Sequence, residues 1–145
     1  MFKTILIATD GSELAEKAVN QGLLLAKDLG AQAIVVTVTE PWMAYAMPEG
    51  DIAFPIGDYQ AAVAASAART LTAATNIAKK IGIVCDVVHV KDAFASEGII
   101  AECKKIKADL IVMASHGRRG VTRILLGSQA NKVVTHSTVP VLICR

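Results

Sequence analysis

Five short apolar runs, separated by four stretches of helical periodicity, restrict this chain more than any other feature. The runs are Lys3–Thr9 (KTILIAT), Ala33–Thr39 (AIVVTVT), Ile83–Val90, Leu110–Met113 and Val141–Cys144, rich in β-branched and aliphatic residues and bounded by turn-forming residues, as buried strands are. Between them lie predicted helices at Ser12–Leu29, Tyr59 to about Lys80, Ala95–Lys107, and Gln129–His136 opening at Ser128. Apolar residues recur at helical spacing in the first (Leu14, Ala18, Gly22, Leu25, Leu29), the second (Val63, Ala67, Leu71, Ala74, Ala78, Ile81) and the third (Ile99, Cys103, Ile106). The second stripe reads as core and nothing more. Gly30 and Gly82 supply helix stops. Strands alternating with helices predict an α/β fold, a doubly wound parallel sheet with helices on both faces.

Size and composition agree with one domain over residues 1–145, since 53% hydrophobic and 19% charged residues suffice for a core without staples. A formal net charge of +2, with no basic tract or aromatic platform, argues against nucleic acid as a partner. No apolar run reaches the ~20 residues of a membrane span, and no signal-peptide pattern precedes the first strand. Cys85, Cys103 and Cys144 are odd in number and lack CxxC spacing. They read as buried thiols in a reducing cytoplasm rather than disulfides or metal ligands. His89 reads as an ordinary strand residue.

Glu40–Asp58 breaks the rhythm. It holds three of the four prolines, the single Trp42, and both Gly50 and Gly57. A connection of this kind is a lid, a binding loop or a plain insertion, and it follows strand two at the carboxyl end of the sheet, where ligands bind.

The most informative stretch is Ala114–Ser128. A strand, a glycine-punctuated basic loop and Gly127-Ser128 at a helix start together make a site for an anion. The first helical turn offers unpaired N–H groups and the positive end of the helix dipole. Gly127 lets a ligand approach the backbone, and Ser128 adds a hydroxyl. No Asp or Glu lies between Ala114 and Ser128, while Arg118, Arg119 and Arg123 favour phosphate. The competing reading is a turn and N-cap beside solvated arginines. Neither G-x-G-x-x-G nor Gly-Lys-Ser/Thr occurs, so the two commonest nucleotide motifs are excluded.

Thr9-Asp10-Gly11-Ser12, the segment Asp109–Gly117, Leu126-Gly127-Ser128 and Val139-Pro140-Val141-Leu142 resemble the universal stress protein family over the whole chain. The family's glycine motif (Gly, two residues, Gly, nine residues, Gly-Ser/Thr) stands here as Ala114, two residues, Gly117, nine residues, Gly127-Ser128. The resemblance implies a three-layer α/β/α fold with five strands in the order 3-2-1-4-5. Strands one and four are then neighbours at the switch point, where ligands bind.

It also implies an ATP (or ADP/AMP) site. Val38 would meet adenine beside Ala8 and Thr9, and Asp10 would accept ribose hydroxyls. The main chain at Met113 and Ala114 would pass the ribose. His116, Gly117, Arg118, Arg119, Gly127, Ser128 and Gln129 would surround the phosphates, with Mg2+ bridging phosphate oxygens. Asp10 has a rival role as N-cap of the first helix, with Glu13 completing a capping box. Ala114 departs from the family's glycine: a negative φ there only narrows the crevice, whereas a positive φ would be strained.

Fast hydrolysis needs a group that positions water or takes its proton, and the cradle offers none. The expected function is therefore a regulatory stress-response module that binds adenine nucleotide with slow or no turnover. A nucleotide-free scaffold and a weak ATPase are the alternatives. Strand five, apolar and at a sheet edge in the implied order, suggests a homodimer through Val139, Pro140, Val141, Leu142, Ile143 and Cys144.

Overall fold

The computed structural model describes residues 1–41, 56–118 and 125–145. Strands and helices alternate as β1 (Thr4–Ala8), α1 (Glu13–Leu29), β2 (Gln32–Val38), α2 (Ile56–Ile81), β3 (Cys85–Val90), α3 (Ala95–Ile106), β4 (Leu110–Ala114), α4 (Ser128–His136) and β5 (Val141–Cys144). All pairings are parallel and the strand order is β3-β2-β1-β4-β5. This is the doubly wound α/β sheet that the alternation predicts.

β1 sits at the centre because its residues can be apolar on both faces. Ile5, Leu6 and Ile7 are all fully buried, each contributing about 1.5–3 kcal/mol by leaving water. Ile5 and Ile7 join Val35 and Val112 in a core closed by α1 and α2. Leu6 joins Val36 and Ile111 in a second core closed by α3 and α4.

The face of α1 differs from the sequence expectation. Its buried residues are Ala15, Ala18, Val19, Gly22, Leu23 and Ala26, while Leu29 from the expected stripe is exposed. The cause is close approach: a Cβ on Gly22 would lie 2.8 Å from Cδ1 of Ile7. The helix thus sets Gly22 and its alanines against the sheet beside Val19 and Leu23, with Leu14 and Leu25 packed at the margin of that core.

Caps also settle one alternative. Ser12, not Asp10, caps α1, its side chain accepting from the Ala15 N–H at 3.3 Å. Gly30 ends that helix in the left-handed conformation at φ 64°.

Element ends shift by a few residues. α2 starts at Ile56 rather than Tyr59, so the last residues of the Glu40–Asp58 interruption are helical, and residues 42–55 lie outside the described residues. β3 starts at Cys85 rather than Ile83, and β4 extends to Ala114.

β1 and β4 pair at the centre of the sheet, and the chain leaves them towards opposite faces. Their carboxyl ends, at Ala8–Asp10 and Ala114–His116, therefore lie side by side. Among the described residues no helix is long and apolar enough to cross a membrane.

Candidate functional site

A cleft of about 470 Å³ opens at the carboxyl ends of β1, β2 and β4. It takes in Ala8, Thr9, Asp10, Val38, Met113, Ala114, His116, Gly117, Arg118, Gly127, Ser128 and Gln129. These are all the expected site residues except Arg119, which, like Arg123, lies outside the described residues.

The floor is built from main chain. Thr9 Oγ1 accepts from the Gly11 N–H at 3.1 Å, and Gly11 turns the chain at φ +78°, a conformation that favours glycine. Asp10 receives one N–H on each carboxylate oxygen. Oδ1 accepts from Ser12 at 3.0 Å, and Oδ2 accepts from Arg118 at 2.7 Å. Each oxygen keeps a further lone pair, so the carboxylate can still accept a hydroxyl from the cleft.

The glycines have a cause that sequence reading did not supply. A Cβ on Gly117 would lie 2.5 Å from Oδ2 of Asp10. One on Gly127 would lie 2.9 Å from the Ser115 carbonyl oxygen, to which the Gly127 N–H donates at 2.8 Å. The protein's own groups fill the space a methyl would need, whatever a ligand also requires. Ala114 is unstrained, because the non-glycine residues with positive φ among those described are Asp92 and Lys107. Its methyl only narrows the cleft.

α4 begins at the cleft with Gly127 as N-cap, no side-chain cap and no acidic residue in its first turn. Its first N–H groups and its dipole are thus directed at whatever occupies the cleft. Gln129 is partly committed elsewhere: its Oε1 accepts from the Ser96 N–H at 2.9 Å. Phe94 caps α3 without any side-chain bond, so Gln129 supplies that cap from a neighbouring helix. The bond also fixes the amide's orientation and leaves its NH2 as a donor. Ser115 Oγ and His116 Nδ1 lie 2.9 Å apart, a contact that shapes the loop.

The outer wall belongs to α2, which the sequence stripe assigned to the core alone. Ala67, Ala74 and Ala78 are indeed buried, but Tyr59, Val63, Ser66, Ala67 and Thr70 face the cleft. The hydroxyls of Ser66 and Thr70, interleaved with Val63 and Ala67 at helical spacing, were the available signal. Tyr59 Oη donates to the Glu40 carbonyl at 2.9 Å, joining α2 to the end of β2. Nearby, Thr39 Oγ1 and His89 Nε2 are 2.7 Å apart. Desolvation, and secondarily Lys91, lower the pKa of His89. Burial raises the thiol pKa of Cys85, Cys103 and Cys144 above the ordinary value, which makes them poor nucleophiles.

Among the described residues no group of three or more His, Cys, Asp or Glu is placed to hold a metal ion.

Residues 1–145 match the model of the universal stress protein family. A Thermus aquaticus protein, "Universal stress protein in QAH/OAS sulfhydrylase 3'region", is 32% identical over all of both chains. Universal stress protein YxiE of Bacillus subtilis is 30% identical, again over all of both chains. Among solved structures, a universal stress protein in complex with cAMP superposes with a TM-score of 0.74 at 25% identity, covering 99% of this chain and 97% of the other.

Proposed function

The chain belongs to the universal stress protein family, and from that premise we propose that it is a regulatory module binding an adenine nucleotide, ATP or its di- and monophosphates, in the cleft between β1 and β4. The carrying observation is the uncapped, acid-free start of α4 opening into a cleft with Asp10. The site residues divide by chemistry. Ala8, Thr9 and Val38 offer an apolar and main-chain berth for the base, and Asp10 an acceptor for ribose hydroxyls. Gly117, Arg118, Gly127, Ser128 and Gln129 offer donors for phosphate. The cAMP complex of a relative supports an adenine ligand.

The donor set fits a nucleotide carrying its own divalent cation. Ser128 Oγ would be one ligand of such an ion, and phosphate oxygens would supply most of the others. Hydrolysis is slow or absent in this reading: Asp10 is tied to two amides, and His116 is paired with Ser115. Among the described residues β5 has β4 as its sole neighbour in the sheet, and it exposes Leu142. This supports a twofold dimer formed edge to edge in the cytoplasm.

The deciding experiment is mass spectrometry of small molecules released from freshly purified protein, followed by titration with ATP, ADP and AMP. Co-purifying adenine nucleotide is expected. Flat isotherms for all three would instead leave a nucleotide-free scaffold.

A further inference from the structure

We propose that Asp10 is a positioning residue for the phosphate side of the cleft: its carboxylate holds Gly117 and Arg118 in place, so one group serves both ribose recognition and phosphate geometry. The ligand readout of this proposal rests on the nucleotide reading above; its geometric content does not.

Three observations converge. The 2.7 Å bond from the Arg118 N–H to Oδ2 is shorter than the 3.0 Å bond from Ser12, and it crosses from the end of β1 to the chain leaving β4, 108 residues later. The backbone at Gly117 passes so close to Oδ2 that a Cβ would sit at 2.5 Å. The Arg118 guanidinium folds back over the β1–α1 turn, where a Cβ on Gly11 would meet its Nη2 at 3.0 Å. Oδ1 is held meanwhile by the Ser12 N–H, directly before α1. The carboxylate is therefore oriented by a rigid turn and presents one oxygen to the opposite loop. A charged acceptor bonded to a main-chain amide is among the stronger single contacts available.

Asparagine at position 10 can accept only one of the two N–H groups. The local Ser12 N–H, two residues on, keeps the amide oxygen as in an Asx turn, so the NH2 faces the other donor and Asp10→Asn should release Arg118. Gly117→Ala provides a complementary lesion: it leaves the carboxylate intact for ribose but pushes the loop away from it.

The experiment compares ATP with 2′,3′-dideoxy-ATP, which lacks both ribose hydroxyls, in calorimetric titrations of wild type, Asp10→Asn and Gly117→Ala. In parallel, the Arg118 amide is followed by proton–nitrogen NMR and hydrogen exchange. Positioning predicts that both variants weaken both nucleotides by about tenfold or more. It also predicts that the Arg118 amide loses its carboxylate-bonded downfield shift and exchanges at least about tenfold faster in Asp10→Asn. If Asp10→Asn weakens ATP while dideoxy-ATP stays within about threefold of wild type, Asp10 serves ribose alone and the proposal is overturned. If wild type binds neither nucleotide, the nucleotide reading fails. The amide then decides: faster exchange in Asp10→Asn upholds the positioning role, and unchanged exchange overturns it.

Discussion

The floor of the cleft, at the ends of β1 and β4, and its outer wall, on α2, enclose the same volume with different kinds of contact. On the floor, main-chain groups and one carboxylate meet at hydrogen-bond distance, and two glycines sit where a methyl would collide with Asp10 or Ser115. On the wall, side chains of Val63, Ser66 and Thr70 line the cleft from a long helix. A floor made of backbone has few alternative arrangements, so substitutions there should cost stability and binding together. A wall made of side chains can change shape while the helix stays put, so substitutions there should alter binding alone.

Gly127→Ala tests the first half of this contrast and should have the largest effect. The new methyl lies 2.9 Å from a backbone oxygen that cannot rotate away. It should cost about 1–3 kcal/mol of stability in urea unfolding and also move the start of α4 away from the ligand. Val63→Phe tests the second half. It should leave the unfolding midpoint close to wild type and weaken nucleotide by about tenfold through lost space. A destabilised Val63→Phe with unchanged affinity would return α2 to a purely structural role and erase the contrast.

The same contrast explains what could be read from residues alone. The floor was legible because backbone constraints leave marks in sequence: Gly117, Gly127 and Ser128 at fixed spacing, Asp10 directly after an apolar strand, and no acid between. Those positions carry the family resemblance, and the resemblance implied the twelve residues that the fold gathers around one cleft. The wall was not legible, because an alanine-rich stripe packs equally well onto a sheet or beside a cavity. The placement of α2 over the carboxyl ends of the strands decides which. The face of α1 was misjudged for a related reason. Periodicity identifies a helix, but the depth of contact, set by Gly22 against Ile7, decides which residues lie innermost, here Ala18, Val19, Gly22, Leu23 and Ala26. The Asp10–Arg118 bond joins residues 108 apart and leaves no local pattern to detect.

Gln129 stands between the two regimes, a side chain on the floor that does a backbone's work by capping α3. Gln129→Ala should strand the Ser96 N–H and lower stability by about 0.5–2 kcal/mol, as loss of a helix cap does. Gln129→Glu keeps an acceptor for Ser96 and places a carboxylate in the first turn of α4, where the dipole favours it. Its thermal midpoint should match or exceed wild type while its affinity for phosphate-bearing ligands falls. If both variants shift stability and affinity in step, Gln129 belongs wholly to the floor.

The smallest expected effect is at the rim, where His89 meets Thr39 at 2.7 Å. Burial, and secondarily Lys91, lower the pKa of His89 in the folded chain. The unfolded chain, with an ordinary imidazole near pH 6.5, therefore takes up the proton first as pH falls. Stability from the neutral imidazole is present above that pH and is lost as the pH drops through it towards the lower folded value. In the protonated ring Nε2 can only donate, so the Thr39 hydroxyl is then confined to accepting. Wild type should thus lose more of its thermal midpoint between pH 7.5 and 5.5 than His89→Gln, which cannot titrate. Because His89 is only partly buried, the difference should be modest beside that of Gly127→Ala. Superimposable pH profiles for the two proteins would show that proton uptake at the rim is the same in the folded and unfolded chains, and that the wall is insensitive to it.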